Sequence, residues 1–311
     1  MTLRAALAAL FLLLALAGCA GAPVTDLAAL PPMPRQAAVA DVPFYPQEER
    51  YCGPAALATV LAWSGEKVTQ DEVAKEVYTP GRKGTLAADM VSGARRHGRM
   101  AVPVSSLADL LAEIAAGHPV IVFQNRGLSF YPLWHYAVAK GYDLDQGSLI
   151  LNSGKHQDYR LGMGAFERTW RRTKNWALVV LPPGQLPATA DVWADLAAAA
   201  ALERVSDFAG ADMAYAAIEA RWPANWAVHF AIGNRAFETG DYEKARAAYR
   251  EAVMHDETAA EAWNNLALAL SHLGRRDEAL DAARRAVAVG GADAGRYRAT
   301  LDEIEGGSRN G

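Results

Sequence analysis

The phrase Gln47-Glu-Glu-Arg-Tyr-Cys52-Gly-Pro-Ala-Ala-Leu places one thiol at the head of an apolar run, with a glutamine five residues before it. A cysteine at a helix start is placed for nucleophilic chemistry. The free N–H groups and dipole there favour the thiolate, whereas an ordinary thiol titrates near ~8.5. Gly53 allows close backbone approach, and Pro54 is acceptable in the first helical turn. Acyl chemistry on a thiol needs more: a base to take its proton and return it to the leaving group, a group to orient that base, and a donor for the oxyanion.

Seven histidines compete for the role of base. His229, His255 and His272 lie in the Ala-rich second half, where packing or surface roles are the default. His97, followed by Gly98, suits a helix C-terminus; His118 precedes Pro119 in a turn, and His156 falls in a polar loop. His135 differs. It opens the apolar strand Trp134-His-Tyr-Ala-Val-Ala-Lys-Gly-Tyr142-Asp with no local structural reason to be there. The next strand ends Leu151-Asn152-Ser-Gly, and the Asn152 amide is the candidate that orients the imidazole. Asp143, Asp145 and Asp158 are rivals, although the first two fall in the hairpin turn, where aspartate is expected for turn chemistry.

These residues must be positioned by the segment 40–183. Its spacing predicts helices over 54–64, 69–78, 86–97 (capped by Thr85 ahead of Asp89) and 106–116. Short strands are expected over 120–123, 135–142, 148–151 and 176–181. Helices followed by antiparallel strands describe an α+β domain.

Cys52-Gly-Pro-Ala-Ala-Leu, Trp134-His135-Tyr136-Ala-Val with Gly141-Tyr142-Asp143, and Asn152 followed by Phe166 and Trp170 together resemble the bacteriocin-processing (double-glycine) cysteine peptidases, a papain-like family. The resemblance covers a little under half the chain. It implies Cys52 as nucleophile, His135 as general base, Asn152 as orienting residue and Gln47 as oxyanion donor, with no cofactor and no metal. The third residue of that family is often Asp. Asn152 can orient a histidine but adds no negative charge to an imidazolium.

Pro182-Pro183-Gly184 ends this pattern, and 184–190 reads as a linker. Gly240, Tyr242, Ala245, Tyr249 and Ala252 recur 34 residues later as Gly274, Arg276, Ala279, Ala283 and Ala286. That period resembles tetratricopeptide repeats, whose small residues let paired helices pack closely. Ala211, Tyr215, Ile218 and Pro223 read as a degenerate first repeat, and 292–305 as a capping helix carrying Tyr297. The expected solenoid spans 191–305, with a disordered tail over 306–311. The fold class is thus an α+β papain-like peptidase domain followed by an all-α repeat solenoid.

The first 18 residues read as a lipoprotein signal peptide: Arg4, an apolar run over 5–17, then Leu16-Ala-Gly-Cys19. Cys19 is the expected lipidation site, 19–39 a Pro- and Ala-rich tether, and the location a bacterial envelope, on the periplasmic face of the outer membrane. Lipidation uses one of the two cysteines, so Cys52 has no intrachain partner in an exported chain. Net charge is −4 with the signs well mixed and no basic block, which argues against a nucleic-acid partner. The expected partners are a peptide or protein substrate, a protein held by the repeats, and the membrane through Cys19. No Gly-rich nucleotide loop ending in Gly-Lys-Ser/Thr is present. Two other functions fit the same residues: a scaffold lipoprotein with an inactive papain-like domain, and a thiol-dependent acyltransferase.

Overall fold

The computed structural model describes residues 25–46 and 51–306, which form two units. The first runs to Pro182 and includes Pro187–Thr189; the second comprises Pro183–Leu186 and the chain from Ala190. Cys19, Gln47, the signal sequence and the tail after 306 lie outside the described residues. Among the described residues no helix is long and apolar enough to cross a membrane.

The first unit is built on one antiparallel sheet. Its strands are β1 (Gln36–Ala38), β2 (Met100–Val104), β3 (Val120–Asn125), β4 (Trp134–Asp143), β5 (Ser148–Ser153), β6 (His156–Gly162) and β7 (Ala177–Leu181). The strand order is β2-β7-β3-β4-β5-β6, with β1 joining β4 beside Gly141–Asp143. Strand β7 is buried along its whole length between β2 and β3, which is why it reads as a continuous apolar run rather than an alternation. Helix α1 (Cys52–Trp63) packs on β4 and β3. Every residue from Gly53 to Leu61 is buried, so α1 is a core helix with no polar face, and its sequence is apolar all round. Helices α2 (Gln70–Val77), α3 (Ala87–Arg96), α4 (Leu107–Ala115) and α5 (Met163–Arg171) surround it and the sheet. Thr69 and Glu72 start α2 with a reciprocal capping box.

Three expectations are corrected here. From Thr25 on, the tether expected over 19–39 gives way to folded chain: Thr25 bonds Glu167, and Gln36–Ala38 pair in the sheet, while 19–24 lie outside the described residues. Thr85 does not cap α3; Leu86 stands at that position, and Asp89 accepts the Leu86 N–H at 3.4 Å. His156 opens β6 instead of lying in a loop. Strands β2 and β6 and helix α5 were not expected, because β2 contains Pro103 and β6 is polar and exposed throughout most of its length.

Glu113 on α4 is fully buried and ties the end of this unit down. Its carboxylate accepts from Thr189 Oγ1 at 2.6 Å, the Thr189 N–H at 2.8 Å, the Ala188 N–H at 3.1 Å, and meets His118 Nδ1 at 2.7 Å. Burial raises its pKa, but these bonds outweigh it and hold the carboxyl below its ordinary value. Glu113→Ala strands several buried donors at once and is expected to cost about 3 kcal/mol of stability, measured by urea unfolding.

The second unit is all helical: α6 (Val192–Arg204), α7 (Phe208–Arg221), α8 (Trp226–Glu238), α9 (Tyr242–His255), α10 (Ala260–His272), α11 (Arg276–Val289) and α12 (Ala294–Gly306). The pairs α8/α9 and α10/α11 carry the 34-residue period. A Cβ on Gly233 of α8 meets the Tyr249 ring of α9 at 2.5 Å, so only glycine permits that packing. Gly240 and Gly274, with φ of +77° and +71°, make the equivalent turns between helices. Ala211, Tyr215 and Ile218 are buried in α7, and Tyr297 is buried in α12, the positions expected of the first repeat and the cap.

Candidate active site

Cys52 is the first residue of α1. The first intrahelical bond runs from the Ala55 N–H to the Tyr51 carbonyl, and Pro54 has no N–H. The amides of Cys52 and Gly53 are therefore left over at the helix start, and Tyr51 supplies no side-chain cap to consume them. Both amides, with the N–H of Tyr136 on β4, act on the sulfur and pull its pKa down. Gly53 is obligatory, since a Cβ there lies 2.6 Å from Thr85.

His135 stands one residue before Tyr136 on β4 and lines the same cleft as Cys52, a space of about 950 Å³. Its Nε2 lies 2.9 Å from Ser153 Oγ at the end of β5, and Arg126 Nη2 donates to that oxygen at 2.6 Å. With Nε2 engaged, Nδ1 is the ring nitrogen left for the thiol. A hydroxyl has two acceptor lone pairs, so Ser153 can take the Arg126 N–H and the His135 Nε2–H together. That arrangement leaves Nδ1 unprotonated, with its lone pair free to accept.

The expected partnership of Asn152 with His135 is not formed. The Asn152 amide donates to the Pro43 carbonyl at 3.1 Å and accepts the Asp158 N–H at 3.3 Å. Adjacent strand residues face opposite sides of a sheet, so Ser153 reaches the imidazole where Asn152 turns away. Asp143, Asp145 and Asp158 do not reach His135 either: they bond Gln36, Arg35 and Lys140. Arg126 and Ser153 were missed by the sequence reading. His135 pairs with Gln124 on β3, so Arg126, two residues on, falls on the His135 side; the signal was the register, which a single sequence does not fix.

Burial dominates the electrostatics. It raises the Cys52 pKa, and the pull of the Tyr136, Gly53 and Cys52 amides and of Arg126 does not cancel it. Burial, then the Arg126 charge, push His135 down to about 3. Both shifts favour a neutral thiol beside a neutral imidazole and oppose the thiolate that a helix start by itself favours. The sign follows directly: a raised thiol pKa delays the thiolate to alkaline pH, and a lowered histidine pKa keeps the base unprotonated down to acid pH. Alkylation of the free protein by iodoacetamide is expected to climb about tenfold per unit from about pH 6 to 9 without a plateau.

Ser153 and Asn152 separate by experiment. Ser153→Ala is expected to slow labelling by a peptide vinyl sulfone about tenfold, since it removes the bond that orients His135, and to cost about 1–3 kcal/mol of stability, since it also leaves the Arg126 donor unpaired. Asn152→Ala leaves the Pro43 carbonyl and Asp158 N–H unpaired, so it costs about 1–3 kcal/mol of stability and has the smaller effect on rate.

A helix-borne thiol and a strand-borne histidine line one cleft of this sheet domain. Residues 39–178 match the Peptidase_C39 like family, and residues 196–259 and 230–297 match the tetratricopeptide repeat. The chain carries a C39-like peptidase domain followed by tetratricopeptide repeats. Among solved structures, a provisionally assigned C39-like peptidase from Bacillus anthracis is 20% identical, covering 47% of this chain and 97% of that one, with a TM-score of 0.42. The peptidase domain of Streptococcus ComA is 24% identical over 45% of this chain and 98% of its own, with a TM-score of 0.38. The Sgt2 TPR domain from Aspergillus fumigatus is 20% identical over 39% of this chain and 81% of its own, with a TM-score of 0.36. No curated protein matches the chain.

Proposed function

We propose that this chain is a membrane-anchored cysteine peptidase that cleaves peptide bonds with Cys52 as nucleophile and His135 as general base. The observation that carries the reading is the placement of Cys52 at the head of α1, with its sulfur among the amides of Tyr136, Gly53 and Cys52, in the cleft that His135 lines. When a peptide carbonyl approaches the sulfur, the S–C bond forms as the thiol proton passes to His135 Nδ1. The oxyanion accepts from the Cys52 N–H, and Gln47 is the proposed second donor. His135 then protonates the departing amine as the C–N bond breaks, leaving a thioester. Water, losing a proton to the same nitrogen, releases the acid and restores the thiol. Ser153, bonded by Arg126, holds the ring through both halves.

Lipid on Cys19 is proposed to keep the peptidase on the envelope membrane, at the periplasmic face of the outer membrane, while the repeats bring a protein partner or substrate to it. The reading is tested by digesting a proteome-derived peptide mixture with the full chain and with its Cys52→Ala variant, then sequencing the new termini. New free amino termini with the wild-type chain alone support it. Products joined to an added amine instead of water contradict hydrolysis and indicate acyl transfer.

A further inference from the structure

The charged side chains that line the Cys52 cleft among the described residues are of one sign. Arg82, Lys83 and Lys155 line it, and no Asp or Glu does among the described residues. A second cleft of about 580 Å³ shares Gly154 and Lys155 with the first, adds Arg126, and again is lined by no carboxylate. The chain as a whole is slightly acidic, with 35 acids to 31 bases, so this local excess does not follow from composition. Elsewhere, arginines commonly find carboxylates: Arg35, Arg96, Arg99, Arg235 and Arg275 all do. None of the four cleft cations forms an ion pair with a described residue, and Arg126 spends one donor on the Ser153 hydroxyl.

Beside these charges stands an apolar rim. The β3–β4 hairpin tip is closed by reciprocal Leu128–Tyr131 backbone bonds of 3.0 and 3.1 Å. Asn125 Oδ1 accepts from the Gly127 and Leu133 amides, and Arg172 Nη1 donates to the Gly127 carbonyl at 2.7 Å. A Cβ on Gly127 lies 2.3 Å from the Tyr131 carbonyl oxygen, so glycine is required there. This tip holds Phe130 at 85% exposure and Tyr131 at 70%, and Leu133 and Trp134 continue from it into the cleft wall. Large apolar side chains held in water on a fixed frame are preorganised for contact and lose little entropy on binding.

We propose that the cleft selects acidic peptides: a carboxylate beside the scissile bond pairs with Arg126 and Lys155, a further acid meets Arg82 and Lys83, and an apolar or aromatic side chain packs on the Leu128–Trp134 tip. This deepens the peptidase reading and rests on it. It also supplies what the resting site lacks. A substrate carboxylate on Arg126 neutralises the cation that opposes an imidazolium at His135, so the correct substrate assists proton transfer from Cys52.

The test is binding, which needs no turnover. Fluorescein-labelled decapeptides, each with one phenylalanine and two glutamates, two glutamines or two lysines at scanned positions, are titrated by anisotropy against the full-length Cys52→Ala chain. The glutamate set is expected to bind at least tenfold tighter than the glutamine set, with the lysine set weakest. The R82E/K83E/K155E variant is expected to reverse that order, and K155E alone to weaken the glutamate set severalfold should the triple variant not fold. Equal binding of the glutamate and glutamine sets, or an unchanged preference in the charge-reversed variants, overturns the proposal. Thiol-probe labelling of the wild-type chain is read in parallel. Labelling without acid preference removes the specificity and leaves the peptidase; acid preference without labelling does the reverse.

Discussion

Replacing Cys52 by alanine is expected to lower peptide cleavage on the order of 10⁵-fold, to the background of the assay, because it removes the atom that carries the acyl group. Cys52 is the one free cysteine among the described residues, and no second thiol stands nearby to compensate. The substitution removes a single half-buried atom at a helix start where alanine is a good residue. Melting is expected to shift by only about 0.5 kcal/mol equivalent, within the range of mild substitutions. Loss of activity with an unchanged melting curve separates chemistry from folding. Residual cleavage above about 1% of wild type points to a different nucleophile.

His135→Ala is expected to lower cleavage by about 10³-fold, in the range removed with a general base. The neutral resting pair gives this variant a second signature. In an ion pair the histidine generates the thiolate, and its removal slows every reaction of the sulfur. Here the free thiol gains nothing from an imidazolium, because burial and Arg126 keep His135 unprotonated. Iodoacetamide alkylation near pH 9 is therefore expected to change less than about threefold in His135→Ala, while reaction with a peptide electrophile, which engages the base, falls by two orders of magnitude or more. Parallel losses in both reactions contradict the neutral pair. The alanine variant also leaves Ser153 and Arg126 bonded to each other, so the frame around the missing ring is retained.

Much of this was legible in the sequence because the relevant signals are local. Pro54 and the apolar run behind Cys52 mark a buried helix, and that is where α1 lies. The 34-residue period predicted close packing at small residues, and Gly233 meets Tyr249 as that packing requires. What was not legible depends on which strands pair and in what register. Asn152 and Ser153 are neighbours in sequence and opposites in space; one residue decides which of them meets His135, and the register irregularity between Leu151 and Ser153 in the β5–β6 pairing falls at that point. Strand β2 was hidden by Pro103, whose missing N–H usually argues against a paired strand; yet β2 is an edge strand, where proline is tolerated. The burial that acts on the site's titration is hidden for a related reason. A helix start favours a thiolate, but the burial that opposes it comes from chain segments far away in sequence.

The central claim is that Cys52 attacks an acyl centre while His135 takes its proton. It is tested most directly by locating and timing the adduct formed with a peptide vinyl sulfone, using mass spectrometry on the wild-type, His135→Ala and Ser153→Ala chains. The expected result is one adduct, on Cys52, formed about a hundredfold or more slowly without His135 and about tenfold slowly without Ser153. An adduct elsewhere in the chain, or one that forms on Cys52 at the wild-type rate without His135, contradicts it.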